Sequence, residues 1–280
     1  MQITQHVHAL KVPFQITVNP EIRIDRFVYV YLIYGAKIYL IDSAVAPAKD
    51  MIFDYIEKTG RSPSEIELLL LTHSHPDHIG AACHIKERSG CKVAAHAAER
   101  HWIEDCTLQA KERPIPGFHF LVEGSVQVDM LINDDDVIRL DDDLCLNAYH
   151  TPGHSIGSLS FYLPADKALF SGDVIPLKGD IPIYEDVNAI KNSINRLQAI
   201  DDVAVLFSSW ADPRQADEVV QEFNDSLEYI HEIDQLVLEK KDIFIKEPLK
   251  TCKEILFELG VPISAANSLV LRSLMSHIHN

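Results

Sequence analysis

The sequence predicts an α/β protein that ends in an all-helical extension. Three observations carry that prediction. Strand and helix signals alternate through most of the first 210 residues. The run "IELLLLT" at residues 66–72 is continuously apolar, as suits a strand covered on both faces. From Pro213 onward the chain keeps helical periodicity, with no strand signal.

The elements follow in order. "ITQHVHAL" (3–10) alternates polar and apolar, as a half-exposed strand does. "RFVYVYLIY" (26–34) and "KIYLID" (37–42) are rich in β-branched and aromatic residues, and Gly35-Ala36 between them predicts a hairpin. Residues 47–60 predict a helix with Pro47 near its start and Gly60 at its end. The strand at 66–72 precedes a helix at 80–89, a strand at 91–96 and a helix at 97–106. "ERPIPGFHFLVEG" (112–124) holds two prolines and two glycines and reads as an irregular excursion. Strands return at 144–150, 158–163 and 167–173, then an amphipathic helix at 186–200 and a last strand at 203–209. A long helix covers 214–241, and two more cover 249–260 and 263–278. The expected division is 1–212 for the α/β unit and 213–280 for the helical extension.

The chain has 280 residues, 47% of them hydrophobic, enough for a real core. No run reaches the roughly 18 apolar residues of a membrane span, and no basic and apolar leader opens the chain. Five scattered cysteines, with no CxxC, predict reduced thiols and a cytoplasmic location. A net charge of −17 disfavours nucleic acid, which asks for a basic track along its phosphates. The acidic runs 133–136 and 141–143 flank a strand-like "VIRL" and read as solvated turns rather than a cation site.

The chemistry sits at strand ends. In "THSHPDHIG", His73 and His75 are two residues apart, so an extended segment puts both on one face. Pro76 keeps His75 out of helical geometry. Asp77 and His78 then turn into the next helix towards the same spot. Imidazole nitrogen and carboxylate oxygen suit zinc, iron or manganese. "HTPGHSIGS" places His154 on a Pro-Gly turn after a strand, and "LFSGDV" ends another strand at Asp173. Open α/β sheets place their chemistry at such ends.

The series "THSHPDHIG … TPGHS … SGDV" resembles the metallo-β-lactamase superfamily, in its glyoxalase II-like hydrolase branch, over residues 28–213. The resemblance implies a four-layer αββα sandwich with the metal site at one edge of its two sheets. By matched position, His73, His75 and His154 would form a first metal site. Asp77 and His78 would belong to a second, and Asp173 would bridge the two. Asp77 would also orient the attacking water, and Asp42, in "LIDSA", would support the site. The expected cofactor is zinc, as two ions, with iron or manganese also compatible. One departure stands out: the family's last histidine falls in "SSWADP", where Trp210 takes its place. Indole nitrogen only donates and cannot bind a metal. The second ion is then completed by water or Asp212, held weakly, or not held at all.

Other residues carry less. His119 reads as a loop residue and Tyr184 as a packed aromatic, although its hydroxyl could serve a developing oxyanion. His150 points away from His154 if its strand persists that far. The remaining histidines, including His277 and His279, have no partner spacing. The leading expectation is a metal-activated water attacking a thioester, lactone or ester carbonyl of a small molecule. A secreted β-lactamase is not expected. The alternatives are a persulfide dioxygenase with a single iron and a binding protein without turnover. The helical extension suggests a homodimer.

Overall fold

The computed structural model describes residues 1–19 and 22–278, with side chains for all of these except 17–19 and 22. Two six-stranded sheets form the centre. The first runs β1 (Val7–Asn19), β2 (Ile22–Tyr34), β3 (Ile38–Ile41), β4 (Ile66–Leu70), β5 (Lys92–His96), β6 (Met130–Ile132), in that spatial order. Its first three strands pair antiparallel and the rest parallel. The second holds β7 (Val137–Arg139), β8 (Cys145–His150), β9 (Leu159–Leu163), β10 (Ala168–Gly172), β11 (Val205–Ser208) and β12 (Arg214–Gln215), again in sequence order. Only β10 and β11 pair parallel there.

The side-chain period of two explains the layering. Leu68 and Leu70 of β4 face the second sheet and share a core with Phe161, Phe170 and Phe207. Leu69 and Leu71 face the other way, onto α1 (Lys49–Lys58) and, past the one-turn α2 (Pro76–Ile79), α3 (Ala82–Ser89), through Ile52, Ile56 and Ile85. The continuous apolar run is thus buried on both faces. Beyond it come α4 (Arg100–Glu104), α5 (Cys106–Glu112) and α6 (Phe118–Leu121). Leu169 and Leu206 of the second sheet pack under α7 (Val187–Gln198) and α8 (Asp217–Glu239). The result is the αββα sandwich. The far half of α8 packs with α9 (Lys241–Lys246), α10 (Pro248–Glu258) and α11 (Ser268–Ser276) into a further core around Ile233, Phe244, Ile255 and Leu274.

Several elements differ from the sequence reading. β1 and β2 form a hairpin of 13-residue strands, far longer than read. Pro13 interrupts the strand pattern, but β1 lies at the sheet edge, where a missing N–H is tolerated. The single helix expected at 97–106 is two, split at Asp105, whose side chain accepts from Leu108 N at 2.9 Å and caps the second. The excursion at 112–124 contains one helical turn, α6. Arg214 and Gln215, read as the start of the long helix, instead pair with β11, and the helix begins at Asp217. The acidic runs are turns: Asp136 accepts from Asn133 N at 2.7 Å, and Asp141 accepts from Leu144 N at 3.0 Å. All five cysteines are free. No helix among the described residues is long and apolar enough to cross a membrane. His279 lies outside the described residues.

Candidate metal centre

The centre lies where both sheets end. β4 delivers His73 and His75, and α2 carries Asp77 and His78. His75 is extended at φ −61°, ψ 148°, as a residue before proline should be, and Pro76 opens the helical turn. His154 comes from the loop after β8. There Gly153 adopts φ 132°, and a Cβ on it would lie 2.4 Å from the backbone of Ile190. Asp173 follows β10 through Gly172, at φ 55°.

Six predicted residues are brought together in two groups that share Asp173. His73, His75, His154 and Asp173 form one, and Asp77, His78 and Asp173 the other; within each, the donor atoms lie within 4.8 Å of one another. His75 Nδ1 lies 3.0 Å from His73 Nε2 and 2.8 Å from His154 Nε2. Asp173 Oδ2 lies 3.4 Å from His154 Nε2 and 3.9 Å from His73 Nε2. It lies 3.2 Å from His78 Nε2, which is in turn 3.7 Å from Asp77 Oδ2.

These atoms fit a metal. Donors about 2.0–2.1 Å from zinc stand roughly 3.3 Å apart on a tetrahedron, and the separations in the first group bracket that value. His78 Nε2 and Asp173 Oδ1 are buried and make no hydrogen bond, a costly state for polar atoms without a ligand. Burial, then the neighbouring imidazoles, hold His73 and His75 well below the ordinary imidazole pKa, so both offer lone pairs. Burial also lowers His78, but Asp173, Asp42 and Asp77 outweigh it and raise the group well above its ordinary value. Burial raises Asp173, yet His78, His154 and the Trp210 N–H hold it low on balance. Burial and the nearby Asp173 push Asp77 up, against the opposing pull of His78.

The surrounding hydrogen bonds set which ring nitrogen faces inward. Asp42 is buried, and its Oδ2 accepts from His78 Nδ1 and from Thr72 Oγ1, both at 2.8 Å. Thr72 Oγ1 in turn accepts from His73 Nδ1 at 3.0 Å. One carboxylate therefore orients two imidazoles, with each Nε2 turned towards the centre. Asp42 itself sits at φ 62°, a strained value for a residue with a side chain. Ser43 N donating to His78 O at 2.8 Å helps to hold it there. His154 Nδ1 donates to Ile183 O at 2.7 Å.

Glu99 and Arg113 escaped the sequence reading. Glu99 is fully buried and accepts from Ser74 N at 3.0 Å, Ser155 Oγ at 2.6 Å and Gly157 N at 2.8 Å. Arg113 donates to Ser74 Oγ at 3.2 Å and Ser155 Oγ at 3.1 Å, and pairs with Glu185. Together they tie the His73–His75 segment to the His154 loop. Neither residue has a spacing signal; only the fold brings them between the two loops.

The remaining candidates lie elsewhere. Trp210 stands at the centre, and its Nε1–H donates to Asp173 Oδ2 at 2.8 Å. Asp212 does not reach it; this carboxylate accepts from Lys11 at 2.8 Å and Tyr29 at 2.7 Å, so the suggestion that it completes the second ion fails. Tyr184 is a packed aromatic, and its hydroxyl meets His277 Nε2 at 2.6 Å. His277 thus has partners that no spacing announced. His119 is exposed on α6 rather than in a loop. His150 stacks on His96 at 4.3 Å.

With this geometry in view, the comparisons are consistent. The sequence pattern of the metallo-beta-lactamase superfamily matches residues 23–227, and the chain belongs to that superfamily. It is similar to a probable metallo-hydrolase, YqgX, of Bacillus subtilis (strain 168), at 33% identity over 44% of this chain and 55% of the relative. It is also similar to a hydroxyacylglutathione hydrolase of Bradyrhizobium sp. (strain BTAi1 / ATCC BAA-1182), at 28% identity over 61% of this chain and 58% of the relative. The matches thus span little more than half of these curated relatives. In structure it resembles a metallo-beta-lactamase family protein from Thermus thermophilus, with TM-score 0.72 and 19% identity over 97% of this chain and 91% of the other. That likeness shows the fold.

Proposed function

We propose that this chain is a metal-dependent hydrolase acting on a thioester, lactone or ester carbonyl of a small molecule. The observation that carries it is the convergence of His73, His75, His154 and Asp173 beside Asp77 and His78. The relatives named hydroxyacylglutathione hydrolase, whose name describes a thioester substrate, favour the thioester. The donor set would suit zinc: His73, His75, His154 and Asp173 would hold one ion, and Asp77, His78 and Asp173 would hold a second more weakly. Bound there, zinc would make a coordinated water acidic near neutral pH and polarise the carbonyl. Asp77 would orient that water and accept its proton at a carboxylate oxygen. Asp42 and the Ile183 carbonyl keep the imidazoles aimed.

A second reading, a persulfide dioxygenase with a single iron, is supported by Trp210 in place of a ligand. The test is turnover of a thioester, a lactone and an ester by zinc-loaded enzyme, beside oxygen uptake with glutathione persulfide by iron-loaded enzyme. Hydrolysis that disappears in His75→Ala supports the first reading; oxygen uptake without hydrolysis replaces it with the second.

We further propose that residues 1–212 form the catalytic unit of a cytoplasmic protein and that 213–280 mediate a homodimer. Leu238, Ile245, Leu249 and Phe257 are all at least half exposed on these helices, which supports the dimer. A solution mass of one chain would refute it.

A further inference from the structure

A pocket opens directly onto the centre, with His154 and Asp173 in its wall. Ile175, Pro176, Leu177, Ile181, Ile183 and the indole of Trp210 supply most of the rest. The other charged side chains in it are Arg26 and Asp180. They are spent on each other: the guanidinium donates to both carboxylate oxygens, at 2.9 and 3.0 Å. It also lies over the Trp210 ring, 4.1 Å from its centroid. Asp180 is fixed in turn, since its Oδ1 accepts from Ile181 N at 2.7 Å and its carbonyl from Tyr229 OH at 2.7 Å.

We propose that this pocket takes the acyl half of the substrate, that the acyl group is neutral and apolar, and that Asp180 determines this selectivity. The chemistry rests on the hydrolase reading; the binding preference does not. An acyl chain ending in a carboxylate would have to displace Asp180 from a bidentate pair or lie beside it as a like charge. Either route is unfavourable, and rejection of the wrong ligand by an unpaired or repelled charge is a general source of specificity. A neutral chain leaves the Arg26–Asp180 pair intact and can lie along the apolar part of the wall, where each buried methylene strengthens binding by roughly two- to fourfold.

The experiment compares two series of p-nitrophenyl esters on the zinc-loaded enzyme, acetyl to hexanoyl and the same chains with a terminal carboxylate. In the neutral series kcat/KM rises with each methylene until the pocket is full. The carboxylated chains fall about tenfold or more below their neutral counterparts. Asp180→Asn, which frees Arg26, narrows that gap, and Arg26→Gln, which leaves Asp180 unpaired, widens it. Saturation transfer from the metal-free protein to hexanamide, but not to its carboxylated counterpart, reads the preference without turnover. A carboxylated series as good as the neutral one, or a gap untouched by both variants, overturns the proposal even if esters are hydrolysed. Saturation transfer to hexanamide with no hydrolysis of any ester, thioester or lactone overturns the hydrolase reading and leaves the pocket's preference standing.

Discussion

At the scale of single residues, Trp210 stands where the family resemblance places a last histidine. Its N–H donates to the oxygen of Asp173 that faces His78, His73 and His154. A donor therefore stands where a second ion would want a lone pair, and Asp77 and His78 are left with only the shared carboxylate. Replacing Trp210 by histidine should tighten the second zinc by roughly tenfold or more, the order by which metal-site partners change affinity. Zinc calorimetry would show it as a second resolved binding step; identical isotherms for both proteins would mean that Trp210 does not limit the site. Tryptophan where the resemblance places a histidine was legible in "SSWADP". The indole's bond to Asp173 was not, since a motif carries no side-chain direction. Glu99 was illegible for a related reason: in "AAERHW" it looks like any charged helix residue, and only its burial between two loops reveals a role.

At the scale of elements, α11 reaches the centre through one loop. Ser273 Oγ accepts from Tyr184 N at 2.9 Å and donates to Tyr184 O at 2.8 Å. The preceding residue, Ile183, supplies the carbonyl that orients His154. Ser273→Ala leaves a buried N–H unpaired, at a cost of about 1–3 kcal/mol. It should also weaken zinc binding at the first group, measured by competition with a chromophoric chelator. A lower Tm with unchanged zinc affinity would show that the loop does not aim His154. Periodicity revealed α11, and a continuous apolar run revealed β4, which is buried on both faces. Periodicity hid most of β1, because Pro13 breaks the pattern and the edge position that excuses it is a tertiary fact. It also hid β12, whose two residues are too short for any period.

At the scale of the whole molecule, the N-terminal segment is fastened across to the second sheet. Asp166, between β9 and β10, accepts from His6 N at 2.8 Å and from Thr4 Oγ1 and His6 Nδ1. Burial raises the Asp166 pKa, but these bonds hold it below its ordinary value on balance. A depressed carboxylate stabilises the fold above its unfolded pKa of about 3.9, and that stability fades as pH falls through the lower folded value. Asp166→Asn should therefore lose stability at pH 7 and show a shallower decline between about pH 5 and pH 2 in urea unfolding. An unchanged slope would place the acid sensitivity elsewhere. The layering was implied by the family resemblance that three short motifs carry; the alternation of strands and helices is compatible with it but does not show it. Two groups of donors sharing Asp173 are the centre of the account. The measurement that tests it most directly is metal content per chain by plasma mass spectrometry, on protein purified without added metal or chelator. At least one zinc per chain is expected, rising towards two when zinc is supplied, with the tight ion lost in His75→Ala. Protein that folds and carries no stoichiometric metal, before or after zinc is supplied, would contradict it.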